Sequence, residues 1–220
     1  MAVVHLSLGD ALLLAGGYAE GLGHYRHALP LLEGLSAQDA RNAEARRDVG
    51  VCHFRIGQMA RYLGEDDLVL ESYRTAAAIS ESLMAADPAN AEARRDLRMA
   101  LSGMGVALRD KEDLEGAVTA YRRATALAEE LAAAQPSNVQ ARGDLASTHT
   151  DLGKALERKS DLAGALLSHR RGLELNEALY AADRASVLLA EKLYFNHGQL
   201  ADALVKAARG TAGATPRSPR

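Results

Sequence analysis

One pattern repeats along the chain every 48 residues, without insertion or deletion. Asn42-Ala-Glu-Ala-Arg-Arg-Asp48 returns as Asn90-Ala-Glu-Ala-Arg-Arg-Asp96 and, more loosely, as Asn138-Val-Gln-Ala-Arg-Gly-Asp144. Self-similarity of this kind is typical of solenoids, in which each repeat buries its apolar face only against its neighbours. The repeat constrains the fold more than any other feature, and it favours binding over catalysis.

Residues 48 positions apart form columns, which put one type of side chain at the same place in each repeat. A glycine column consists of Gly9, Gly57, Gly105 and Gly153, with Ala201 in its fifth place. A second column, an aromatic ring followed by arginine, consists of Tyr25-Arg26, Tyr73-Arg74, Tyr121-Arg122 and His169-Arg170. The columns predict that the repeats make equivalent contacts.

Each repeat carries the pattern of two amphipathic helices, as residues 87–134 illustrate. Pro88 ends the preceding helix and Asn90 is a good N-cap for the next one. Apolar residues then recur at three- and four-residue steps on both sides of the polar run 109–113. The spacing predicts two antiparallel helices of about 20 residues joined by a tight turn.

We therefore predict an all-α fold, a right-handed α-solenoid of antiparallel helix pairs with about nine helices in residues 1–208. The predicted divisions are a partial repeat 1–38, full repeats 39–86, 87–134 and 135–182, and a terminal helix 183–208. Within the partial repeat the helices are expected at 3–15 and about 22–36, and the last helix at 186–208. Residues 209–220 have no apolar period, which predicts a disordered tail.

The centre of each repeat resembles the tetratricopeptide repeat. Met104-Gly105 matches the family's Leu-Gly pair, and Ala117, Tyr121 and Ala124 match its small–aromatic–small spacing. The period departs from the family's usual length of about 34 residues. The resemblance implies a superhelix that acts as a non-catalytic protein–protein interaction module. Long-period variants resemble arrays attached to bacterial serine/threonine kinases and other signalling proteins.

Bulk composition excludes several classes of function. A net charge of −3 argues against a nucleic-acid binder, which needs a basic face. The single cysteine, Cys52, excludes an internal disulfide and fits a reducing compartment, so we expect a cytoplasmic protein in which Cys52 is a buried small hydrophobe. No apolar run approaches the ~18 residues of a membrane span. No motif indicates a catalytic site or a cofactor.

A histidine column consists of His5, His53, His149 and His197, with Leu101 interrupting it. Successive repeats of a helical solenoid stand about 10 Å apart, whereas zinc binds nitrogen at about 2 Å, so one histidine per repeat cannot share an ion. We expect these histidines to pack between helices and predict no metal site. Proton sensing is the alternative.

The Arg-Arg-Asp joints are expected to hold neighbouring repeats in register. Arg46, Arg94 and Arg142 lie near Asp48, Asp96 and Asp144, and arginine binds carboxylates bidentately.

The resemblance also implies where a partner binds, because the first helix of each pair lines the concave face of tetratricopeptide arrays. Carried over by column, the candidate partner-binding residues are Phe54, Gln58, Arg61, Tyr62, Arg109, Lys154, Arg158 and Lys206. This face is more basic than the whole chain, so an acidic protein or peptide segment would suit it. The alternative is an ordinary solvated face.

Two other functions fit the same sequence. The chain could be the C-terminal sensory or regulatory part of a larger signalling protein, such as a serine/threonine kinase. It could also be a structural array that forms homo-oligomers through its ends. Free-standing repeat arrays usually need polar caps, whereas the shortened first helix and the unpaired last helix of this chain are expected to expose apolar surface.

Overall fold

The computed structural model describes residues 1–39 and 41–212, with side chains up to Arg209. These residues form nine helices and no strand, which confirms the all-α prediction. The helices are α1 Ala2–Ala15, α2 Tyr18–Gln38, α3 Ala43–Leu63, α4 Asp66–Ala86, α5 Ala91–Asp110, α6 Leu114–Ala134, α7 Val139–Arg158, α8 Leu162–Ala182 and α9 Val187–Ala212.

The chain divides into two compact bodies, an N-terminal body of Met1–Leu127 and a C-terminal body of Ala128–Arg220. In the N-terminal body each of α1 to α4 packs against the next helix, and α3 also contacts α5. In the C-terminal body α8 packs against α7 and α9. The helices of a pair are joined by only two or three residues, so they must run antiparallel. Below, α1, α3, α5, α7 and α9 are called first helices, and the others second helices.

An asparagine caps three of the first helices. The side chains of Asn42, Asn90 and Asn138 accept hydrogen bonds from the backbone N–H three residues later, at 3.0, 2.9 and 3.1 Å. Ser186 takes the same place before α9, where its hydroxyl accepts from the N–H of Leu189 at 3.3 Å. These caps satisfy N–H groups that a helix start leaves unpaired, as predicted for Asn90.

The turn inside each pair needs a left-handed residue at one column. Gly16 and Gly64 occupy it with φ of 79° and 73°, and Glu112 and Ser160 with φ of 63° and 67°. The backbone bonds are the same at Gly64 and Glu112, because each N–H meets the carbonyl three residues before it. Glycine adopts this conformation freely, whereas glutamate and serine adopt it at some cost.

The glycine and aromatic columns meet inside each pair. A Cβ atom added to Gly9, Gly57 or Gly105 would lie 2.7, 2.9 or 2.7 Å from the ring of Tyr25, Tyr73 or Tyr121. At Gly153 it would lie 2.5 Å from the His169 ring. Any side chain at these positions would overlap the ring, so the glycine column exists to let the second helix approach.

One predicted joint is wrong in its residue. Arg47, one position after Arg46, ties neighbouring repeats together, with its Nε donating to Asp96 at 2.6 Å. Arg46 instead donates to Ser82 in α4. The Arg47 side chain is about one-third exposed and that of Asp96 less so, so solvent screening limits the energy of the pair. Its main effect is therefore to fix the register between neighbouring repeats.

Helix boundaries agree with the sequence except at the ends. The partner of α1 begins at Tyr18, before the predicted residue 22, and α9 continues to Ala212 instead of ending at residue 208. Residues 213–220 of the predicted tail lie outside the described residues. That residues 1–208 form a single array stays a prediction.

We expect the substitution Gly153→Ala to lower the free energy of unfolding by about 1–3 kcal/mol, because the added methyl overpacks the buried His169 ring. Gly143 lies in the same helix, and a methyl group added there would meet no atom within 4 Å, so Gly143→Ala should raise stability by up to about 1 kcal/mol. Urea unfolding of the two variants and the wild type measures both effects. Equal effects of the two substitutions would contradict the close-contact account.

Candidate functional site

The eight predicted partner-binding residues all belong to first helices, five of them to α3 and α5 of the N-terminal body and three to α7 and α9 of the C-terminal body. In the N-terminal body Phe54 is half-buried, with its ring centroid 5.6 Å from that of Tyr73. Gln58 accepts a hydrogen bond from Arg55 at 3.0 Å. Arg109 is mostly covered and lies 3.4 Å from Asp110. Phe54 and Gln58 are therefore shared between the core and the surface.

An exposed aromatic cluster lies at the end of α3. Tyr62 stacks on Tyr18, with ring centroids 4.1 Å apart and an interplanar angle of 6°. The guanidinium of Arg61 lies 4.9 Å from the centre of the Tyr62 ring, within cation–π range. Since Tyr62 is 51% exposed, this cluster offers a flat ring and a positive charge to solvent.

The predicted residues of the C-terminal body are charged. Lys154 lies 3.3 Å from Asp151, and its ammonium lies 4.7 Å from the centre of the Phe195 ring. Lys206 forms an ion pair with Glu157. Arg158 is exposed at the end of α7. The contacts of Lys154 and Lys206 with residues of α7 and α9 were not predicted from the sequence.

A cavity of about 190 Å³ opens between α3 and α5 in the N-terminal body. Its apolar lining comes from α3 and α5, and α4 provides the small residues Ala76 and Ser80. Three arginines and one carboxylate also line it. The lining residues are Arg47, Gly50, Val51, Phe54, Arg55, Ala76, Ser80, Arg95, Asp96 and Met99.

A second cavity, of about 160 Å³, lies between α7 and α9 in the C-terminal body. Most of its lining lies 96 residues, or two repeats, after that of the first cavity. Its lining residues are Ser147, Thr150, Asp151, Lys154, Asn176, Lys192, Phe195 and Asn196. The repeat therefore builds a cavity between two successive first helices in each body, with different side chains in the same frame.

Buried amides support the second cavity. Asn176 donates to Asn196 at 2.5 Å, Asn196 donates to Thr150 at 2.7 Å, and the Thr150 hydroxyl donates to the carbonyl of Ala146 at 2.9 Å. The three side chains are nine-tenths or more buried. The corresponding residues of the N-terminal body are Ser80, Ala100 and Phe54, so the polar chain is specific to the C-terminal body.

Three members of the histidine column, His53, His149 and His197, lie near glutamates 20 residues earlier. Nε2 of His149 is 3.8 Å from Glu129, and Nε2 of His197 is 3.9 Å from Glu177. Burial lowers the pKa of His149 below its ordinary value, and the charge of Glu129 opposes the shift. Burial also lowers the pKa of His53, with Glu33 opposing it. The buried members therefore favour the neutral ring.

His169 departs from its column by replacing the tyrosine ring. It is fully buried, and its Nε2 lies 2.7 Å from Glu157. Burial lowers the pKa of His169, while the hydrogen bond to Glu157 raises it. The equivalent Tyr25 donates to Asp10 at 2.6 Å, so one ring in each body is anchored by an acid of the preceding first helix.

The described residues contain one free thiol, that of Cys52. Cys52 is buried, and burial raises the pKa of its thiol to about 12, so it is a core residue, as predicted. Among residues 1–39 and 41–209, no three His, Cys, Asp or Glu side chains are placed to hold a metal ion. No described helix combines the length and apolar character that crossing a membrane requires.

Comparisons with known proteins support the fold. BtubC (BKLC) from P. vanneervenii is similar over 97% of this chain and 81% of its own, with 16% identity and a TM-score of 0.56. The yeast histone chaperone Hif1 is similar over 92% of this chain and 94% of its own, with 13% identity and a TM-score of 0.56. These structures are tetratricopeptide-like helical repeat proteins, and this chain has the same type of fold. No family model and no curated protein matches the sequence.

The cavities were missed by sequence reasoning. Comparing residues 48 positions apart identifies one helix face at a time, whereas each cavity needs residues from two first helices and from the second helix between them. A signal was present in the sequence. Val51 and Met99 share a column, and each has an arginine four residues away on its own helix, Arg55 and Arg95 respectively.

The substitution His149→Leu, which copies Leu101 of the same column, should flatten the pH dependence of stability. Burial lowers the pKa of His149 in the folded protein below its ordinary value of 6.5, so the unfolded chain takes up the proton at a higher pH than the folded protein does. Wild-type stability should therefore be fully present above about pH 6.5 and decline as the pH falls towards the lowered folded pKa, by at most about 1.4 kcal/mol per pH unit for this residue.

Urea unfolding at pH 7.5, 6.5 and 5.5 measures this difference. His197→Leu is the matched control, because it removes a histidine of the same column whose side chain is 57% exposed. Parallel pH profiles for the wild type and His149→Leu would contradict the burial account.

Proposed function

We propose that this protein is a non-catalytic protein–protein interaction module that binds an acidic segment of a partner on its first-helix face. The supporting observation is the pair of cavities at the same repeat columns, each opening between two successive first helices. Concave sites lined by apolar side chains with a few fixed polar groups are the usual form of binding sites.

The charge of the face supports an acidic partner. Arg61, Lys154 and Arg158 lie on first helices, and the N-terminal cavity has three arginines against one aspartate. Basic surfaces steer and select acidic partners, although each exposed charge adds little affinity by itself. Hif1 is described as a scaffold protein recruiting protein complexes to core histones, and a scaffold role for this chain is in keeping with the shared fold. A cytoplasmic location remains part of the proposal.

Panning a phage library of random twelve-residue peptides tests this function. We expect peptides with Asp or Glu to be enriched, and their affinity to fall about tenfold or more in the triple variant Arg61→Glu, Arg109→Glu, Arg158→Glu. The matched control is Arg74→Glu, Arg122→Glu, Arg170→Glu, which makes the same charge change on exposed residues of second helices. Absence of enrichment, or equal losses in both triples, would contradict the proposal.

A second candidate function is self-association, and the exposed residues of α1 and α9 favour it. Val4 and Leu8 in α1 are 57% and 44% exposed, whereas Cys52 and Ile56 of the same columns are buried in α3. Tyr194 in α9 is 84% exposed, whereas Ala146 of its column is buried. These apolar faces would also accept flanking repeats of a larger signalling protein, such as a serine/threonine kinase.

If the protein self-associates, light scattering should show a mass that rises with concentration, and Tyr194→Lys should lower it. Leu167→Lys is the control, because Leu167 is 71% exposed on the second helix α8. A constant monomer mass across the concentration range would remove this candidate.

A further inference from the structure

The N-terminal cavity has the form of a site for one side chain. Its volume of about 190 Å³ is below the range of about 300–1,000 Å³ that is usual for whole small-molecule ligands. Phe54 and Met99 give it apolar walls from opposite first helices, and Ala76 leaves room at its base. An apolar side chain entering here would be removed from water, which favours binding.

The arginines at this cavity differ in how many of their N–H donors are already hydrogen-bonded. Arg47 is occupied, because its Nε and Nη2 donate to Asp96 at 2.6 and 3.4 Å and its Nη1 lies 3.4 Å from Glu92. Arg55 uses Nε for Asp10 and Nη1 for Gln58, both at 3.0 Å. A guanidinium carries five N–H donors, and no described side chain of the N-terminal body accepts from the two on Nη2 of Arg55.

Arg95 has the greatest spare capacity. It is exposed on α5, and no carboxylate within residues 1–39 and 41–127 pairs with it. Arg55 on α3 and Arg95 on α5 therefore place N–H donors beside the cavity that the described residues of this body leave unbonded. Carboxylates are the side-chain groups that match guanidinium geometry.

We propose that the N-terminal cavity anchors an apolar side chain of the bound segment and that Arg55 and Arg95 bind an Asp or Glu next to it. This inference rests on the proposed function and assigns the residues and the chemistry of one anchor. The partner is thus recognised by an apolar residue with an acidic neighbour, and acidity alone is insufficient.

The C-terminal body supplies an internal comparison, because it has the opposite charges at the same columns. Asp151 stands where Arg55 does, Glu191 where Arg95 does, and Lys192 where Asp96 does. The repeat frame therefore accepts either sign at these positions. The acid preference belongs to the N-terminal cavity and is not a general property of the repeat.

The experiment uses a peptide selected from the library by the full chain. Arg95→Glu copies the residue of the same column in α9, so the helix should tolerate it. We expect this variant to bind the peptide at least tenfold more weakly and to select peptides with Lys or Arg in place of the acid. Met99→Ala should weaken binding and remove the preference for an apolar residue, while leaving the preference for Asp or Glu.

Arg122→Glu is the matched control, since it makes the same charge change on the exposed side of α6, and circular dichroism checks that every variant is folded. If the wild type selects peptides that Arg95→Glu and Met99→Ala bind unchanged, the anchor inference fails while the proposed function stands. If the wild type selects no peptide, the proposed function fails, and the anchor falls with it. A peptide preference for acid without an apolar neighbour would also overturn the inference.

Discussion

The contact between a glycine and an aromatic ring inside each helix pair sets the rest of the structure. Without a side chain on the first helix, the ring of the second helix packs directly against the backbone, which fixes the distance between the two helices. Tyr73 extends this contact to the next repeat, because a Cβ added to Gly103 in α5 would lie 2.7 Å from the same ring. One ring thus positions α3, α4 and α5, and the cavity between α3 and α5 depends on that spacing.

The helices and their caps could be predicted from sequence because they depend on local features. Asn90 caps its helix through a bond to a residue three positions away, and the apolar spacing needs only one helix. The cavities could not be predicted in this way, since Arg55 and Arg95 are 40 residues apart and meet only through helix packing. The Arg46 error has the same origin: neighbouring residues of a helix point about 100° apart, and only the packed structure shows which one faces Asp96.

The two cavities show how a repeat array can vary its chemistry without changing its fold. The columns that line them differ freely between bodies, from arginine to aspartate or from phenylalanine to threonine, while the glycine–ring contacts remain. Substitutions in the lining columns can therefore change the chemistry of a cavity while the glycine–ring contacts are kept.

The polar contacts of α9 have a consequence for assembly of the C-terminal body. A helix held by leucines alone could slide by one turn, about 5.4 Å, and still find apolar neighbours. Asn196 must meet both Asn176 and Thr150, and Lys206 must meet Glu157, so only one axial position satisfies all of them. Buried polar residues serve the same purpose in coiled coils, where they specify register at a cost in stability. In this protein they fix the axial position of α9, because a helix shifted by one turn would leave these polar groups without their partners.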